Sequence, residues 1–293
     1  MEECQFIGEA VSEMRHNVKL SNYQKFCISD GFISNFLGEW RSSSYFLGEG
    51  PERNCLDICK GDEVFSIDTF KNLAQKAEIL CLMGLGGVWK NLIPEIICPN
   101  DEGTTNLVHI DLKYIYRLRC LIDNTDSRVQ NALSKLELLK NLESIFLYHC
   151  VHLEGTLFKS KISFFNLKKL TIEGCPMLTS LFELSTTQNL LLLESISIYN
   201  CKQLKSIVRD ENKSKDSGDE IVDGRNDNNT ILPMFPNLAY LDISDCPQLH
   251  FILPIAAAQN VSKLASIEIR RCNGLKYIFG PCQHKHEDEE LLQ

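Results

Sequence analysis

The stretch NLKKLTIEGCPMLTSL, Asn166 to Leu181, recurs along the chain in altered form. LLESISIYNCKQLKSI begins at Leu192, NLAYLDISDCPQLHFI at Asn237 and KLASIEIRRCNGLKYI at Lys263. All four fit LxxLxIxxCxxLxxI with leucine and isoleucine taken as equivalent. Looser copies lie upstream: NLESIFLYHCVHLEGT from Asn141, NLVHIDLKYIYRLRCL from Asn106 with Ile115 in place of the cysteine, and AEILCLMGL from Ala77. The first apolar position of each copy falls at Ala77, Leu107, Leu142, Leu167, Leu193, Leu238 and Leu264, in steps of 30, 35, 25, 26, 45 and 26 residues.

Three of these steps lie within the period of roughly 20 to 29 residues that marks leucine-rich repeats, here in the version with cysteine where asparagine often stands. The fold class expected is therefore α/β: a curved leucine-rich-repeat solenoid with a parallel sheet on its concave face and irregular loops or short helices on its convex face. Such repeats cannot bury their apolar faces alone, and stacking gives one elongated domain, residues 66–280. Residues 1–65 have no clean period and read as degenerate repeats or a poor N-terminal cap, so a frayed N-terminal end and a marginally stable isolated protein are expected. Residues 281–293 read as an acidic tail. The long step of 45 is explained by RDENKSKDSGDEIVDGRNDNNT, residues 209–230, an acidic insertion without aromatic residues, for which disorder is expected.

A formal charge of −9 over 293 residues disfavours nucleic acid or anionic membrane as a partner, since both require a basic face. No apolar stretch reaches the roughly 18 residues of a membrane helix, and MEECQFIGEAVSEMRHNVKL lacks the apolar core of a secretory signal. Five of the 13 cysteines, Cys150, Cys175, Cys201, Cys246 and Cys272, occupy the repeat position. In-register thiols about 5 Å apart suit a reducing, cytoplasmic location. Phosphate-binding loops, nucleophile elbows, metalloprotease helices and kinase motifs are all missing, so neither catalysis nor a cofactor is expected. No metal is expected either: Cys55 with Cys59, and Cys282-Gln-His284-Lys-His286, lack the spacing or second pair of a zinc module.

Function is sought in the strand. Side chains alternate across a strand, so the two final apolar residues of LxxLxI point inward and the residues around them face the concave side. The candidate protein-binding residues are His109, Asp111, Lys113, Phe146, Tyr148, Lys169, Thr171, Glu173, Ser197, Tyr199, Tyr240, Asp242, Glu268 and Arg270. Serines, threonines and charges suit any solvated sheet. The aromatics Phe146, Tyr148, Tyr199 and Tyr240 are less expected there and match the composition of interface centres, although aromatics also favour strands for packing reasons alone.

The FxNLxxLxI phrases at Phe165–Ile172 and Phe235–Ile243, CPxL at Cys175–Leu178 and Cys246–Leu249, the acidic insertion, and the run FILPIAAAQNVSKLASIEIRRCNGLKYIF resemble the C-terminal repeats of plant coiled-coil nucleotide-binding leucine-rich-repeat disease-resistance proteins. KAEILCLMGLGGVWKNLI is similar to an earlier phrase of the same region. The resemblance implies an intracellular immune receptor whose repeats bind a pathogen effector, a guarded host protein or the receptor's own nucleotide-binding domain. The chain carries neither the nucleotide-binding motifs nor the coiled coil of that family, so a truncated member or gene fragment is expected. A second reading is an F-box-type substrate adaptor of a ubiquitin ligase, but the first 60 residues lack the LP-led F-box.

Overall fold

The computed structural model describes residues 25–29, 54–59, 71, 74–84, 89–99, 105–123, 125–134, 138–158, 162–187, 189–209 and 234–280. The tail 281–293, the insertion beyond Arg209 and most of residues 1–65 lie outside the described residues, as does the Cys282-His284-His286 cluster.

Each phrase contributes one strand of a parallel sheet. In chain order its members are β1 (Lys25–Ser29), β2 (Cys55–Cys59), β3 (Ile79–Met83), β5 (His109–Lys113), β7 (Ser144–Tyr148), β9 (Lys169–Glu173), β11 (Ser195–Tyr199), β13 (Tyr240–Ser244) and β15 (Ser266–Arg270). The spatial order equals the chain order, and the register is unbroken: Leu80, Ile110, Ile145, Leu170, Ile196, Leu241 and Ile267 stand side by side. This is a leucine-rich-repeat solenoid. β1 and β2 extend the sheet upstream of Ala77, where KFCIS and CLDIC carry only the centre of the phrase.

Smaller parallel ladders run behind the main sheet: β4 (Asn91–Ile93) with β6 (Cys120–Ile122), β8 (Gly155–Phe158) with β10 (Leu178–Glu183) and β12 (Val208–Arg209), and β14 (Phe251–Pro254) with β16 (Tyr277–Gly280). Among the described residues, the short helices α1 (Ser127–Ser134) and α2 (Leu184–Thr187) follow β6 and β10 in the chain. Between the layers the apolar positions of the phrase form one ribbon. Leu170, Ile172, Leu178, Leu181, Ile196, Ile198, Leu204 and Ile207 are each fully buried.

A second stack, of phenylalanines, runs parallel to the leucines. Phe158 lies edge-on to Phe164 with centroids 4.6 Å apart and stacks on Phe182 at 5.6 Å, and Phe182 meets Phe235 at 6.2 Å. The FxNL phrase is thereby corrected at one position. Phe164, three residues before Leu167 as Phe235 is before Leu238, is the buried phenylalanine of the phrase, while Phe165 points to solvent at 46% exposure.

The turn leaving each strand has a repeated conformation. Gly84, Tyr114, His149, Gly174, Asn200, Asp245 and Arg271 all have positive φ, between 52° and 66°. For all but Arg271 the reason is a hydrogen bond: in this left-handed pose the amide reaches the carbonyl of the last strand residue in the next repeat. Examples are Tyr114 to Tyr148 at 2.8 Å, His149 to Glu173 at 2.7 Å and Asp245 to Arg270 at 3.0 Å. A left-handed residue other than glycine costs roughly 1–2 kcal/mol, least for Asn and Asp.

One residue later comes the cysteine. Each thiol donates to the carbonyl two residues back, at the end of its own strand: Cys175 to Glu173 at 3.7 Å, Cys201 to Tyr199 at 3.5 Å, Cys246 to Ser244 at 3.3 Å and Cys272 to Arg270 at 3.4 Å. Cys150, Cys175, Cys201 and Cys246 are fully buried, and all five are free thiols.

Candidate functional site

Because the register is unbroken, residues flanking the buried pairs form three straight columns on the outer face of the sheet. The middle column reads Asp57, Cys81, Asp111, Phe146, Thr171, Ser197, Asp242 and Glu268. The column after it carries Lys113, Tyr148, Glu173, Tyr199, Ser244 and Arg270, and the one before it carries His109, Ser144, Lys169, Ser195, Tyr240 and Ser266. All fourteen candidate residues lie on this face, ten of them in two groups of different character.

The first group spans β5 and β7. His109 Nδ1 is 2.6 Å from Ser144 Oγ, and its ring tilts against Phe146 at 5.3 Å. Lys113 Nζ pairs with Asp111 Oδ2 at 3.1 Å while lying 5.2 Å from the centre of the Tyr148 ring. These contacts cover the carboxylate and the imidazole, so His109 and Asp111 are buried, at 6% and 5% exposure. This departs from the solvated columns expected of the sequence. Alternation fixes which face a side chain points to, and the bulk of its neighbours fixes its depth.

The electrostatics follow from that burial. Desolvation raises the Asp111 carboxyl above its ordinary range, with the Lys113 ammonium opposing the rise. Tyr148 is pushed up to about 12, first by burial and then by the negative charges of Asp111 and Glu173. The Cys81 thiol is raised well above its usual value by its hydrogen bond with Cys55, by burial and by the nearby charges of Asp111 and Asp57. Cys81 and Asp57 were not among the candidates. Aligning AEILCLMGL on LVHIDLKYI places Cys81 beside Asp111, so the signal was present in the sequence.

The second group spans β11, β13 and β15 and is open to solvent. Tyr199 Oη donates to Asp242 Oδ2 at 2.7 Å, and Arg270 reaches Asp242 Oδ1 at 3.5 Å and also pairs with Glu268. Burial and the Asp242 hydrogen bond raise the Tyr199 phenol above its ordinary value. Tyr240 stands beside this network at 58% exposure. Lys169, exposed, and Thr171 and Glu173, half-buried, lie on β9 between the two groups, and Ser197, half-buried, lies on β11 two residues before Tyr199. Phe146, Tyr148 and Tyr199 are half-buried, so Tyr240 is the one strongly exposed aromatic of the four.

A family model described as plant disease resistance protein RPS2-like, leucine-rich repeats, matches residues 106–202, from just before β5 to just after β11. No curated protein and no solved structure matches the chain. Among the described residues no helix is long and apolar enough to cross a membrane. Over the matched third of its length, the chain is similar to a leucine-rich-repeat region of the plant disease-resistance type.

Proposed function

We propose that this chain is the protein-recognition module of a plant intracellular immune receptor, and that its sheet face binds a pathogen effector or a host protein in the reducing cytoplasm. The observation that carries the reading is the open network of Tyr199, Asp242 and Arg270 with Tyr240 exposed beside it. Tyrosine and arginine dominate the energetics of protein interfaces. They stand here on a rigid sheet, which keeps the ordering cost of binding low. The similarity of residues 106–202 to disease-resistance repeats supplies the biological setting. Free thiols along the ladder favour the reducing compartment.

The test uses proximity labelling in healthy and infected plant tissue to obtain partners, followed by affinity measurement with the double variant Tyr199→Ala/Tyr240→Ala. Loss of a tyrosine anchor typically costs more than about 1 kcal/mol, so affinity should fall at least tenfold with the melting temperature unchanged. Equal affinity of variant and parent for every partner recovered would refute this face as the binding surface.

A further inference from the structure

The buried group at the upstream end of the face has a chemistry unlike a protein-binding patch. Cys81 and Asp111 are direct cross-strand partners on β3 and β5, and His109 lies two residues before Asp111, on the same face. The parallel register therefore brings a thiol, an imidazole and a carboxylate together without any loop. Their ligand atoms all lie within 4.8 Å of one another.

A zinc ion bound by sulfur at about 2.3 Å and by nitrogen and oxygen at about 2.0–2.2 Å holds its ligands roughly 3.4–3.6 Å apart in a tetrahedron. Small side-chain rotations close the difference. The Asp111 carboxylate is already divided between two tasks: Oδ2 pairs with Lys113, whereas Oδ1 is buried and has no hydrogen-bond partner. A buried carboxylate oxygen in that state is unfavourable, because its desolvation is not offset by a hydrogen bond. A cation is the partner that would relieve it.

We propose that Cys81, His109 and Asp111 form a binding site for one divalent cation of the zinc class, with the fourth coordination position open to solvent on the half-buried Cys81 side of the sheet. Ligation through His109 Nε2 would leave its Nδ1 contact with Ser144 as the outer-shell bond that commonly orients a ligating imidazole. The donor set of one sulfur, one nitrogen and one oxygen suits zinc and excludes the hard cations magnesium and calcium, which take oxygen ligands. A Cys81 thiolate and the Asp111 carboxylate would together carry the two negative charges that match a doubly charged ion, with Lys113 Nζ on the other carboxylate oxygen. Binding forms one bond each to sulfur, nitrogen and oxygen and releases the Cys81 proton to solvent; no other covalent bond of the protein is made or broken.

The reduced full chain is titrated with zinc against a chromophoric chelator, and separately with cobalt as a spectroscopic probe. One equivalent should bind in competition with the chelator, and the cobalt complex should show a thiolate charge-transfer band. Cys81→Ser should abolish that band, and Asp111→Asn, which keeps the side-chain shape, should weaken binding at least tenfold. Cys150→Ser in the buried ladder, and the tail variant with Cys282, His284 and His286 replaced by alanine, should bind as the parent does. A parent cobalt complex without the thiolate band overturns the proposal, and so does parent-like binding by both Cys81→Ser and Asp111→Asn. These outcomes are independent of any protein partner.

Discussion

At the scale of single residues, the position after each strand is under the heaviest constraint. Gly174 has φ +65°, and a Cβ there would run into the His149 ring, which is itself stacked on Tyr114 at 5.1 Å. Gly174→Ala combines a left-handed penalty of about 1–2 kcal/mol with that clash, so a drop of at least 1 kcal/mol is expected from denaturant midpoints. Tyr148 gives a pH signature. Its folded value of about 12 lies above the ordinary 10, so the unfolded chain loses this proton first. The associated stability is intact below pH 10 and declines as pH rises through 12. Phenolate absorbance should show a component near 12 that Tyr148→Phe removes. None of this strain was legible in the phrase, where the residue before cysteine varies among Gly, His, Asn, Asp and Arg. Its common feature is a backbone angle, imposed by the amide's reach to the next repeat.

At the scale of elements, the strand was the most legible unit. LxxLxI encodes a five-residue strand with two inward side chains, and Leu170 and Ile172, Ile196 and Ile198, Leu241 and Ile243 are all essentially inaccessible. Ile172→Ala should therefore cost roughly 2–5 kcal/mol through lost burial and a cavity, while Thr171→Ala on the outer face should stay within about 0.5 kcal/mol. The contrast is read from paired urea melts. β1 and β2 escaped the periodicity because the phrase's leading leucine and its cysteine position are missing around KFCIS and CLDIC; only the apolar alternation survives. The depth of His109 and Asp111 was equally hidden. It arises from Phe146, Tyr148 and Lys113, whose bulk matters only once register has set them alongside.

At the scale of the whole molecule, stability in a linear array is a sum of neighbour interactions, and among the described strands β15, at the edge of the sheet, has one neighbour instead of two. β15 shows it: Ile267 is 37% exposed and Ile269 half-buried, against complete burial of Ile196 and Ile198. Amide exchange should accordingly be fastest in β15 and slowest in β9 and β11, and equal protection across these strands would contradict neighbour-limited stability. β11 and β13 remain paired residue for residue, Ile196 against Leu241, although a stretch of chain longer than any other step separates them. The pairing of these two strands thus does not depend on how many residues separate them in sequence. A lineage can lengthen that interval without disturbing the spacing of the face, and a reporter that an engineer splices into it leaves every column in line.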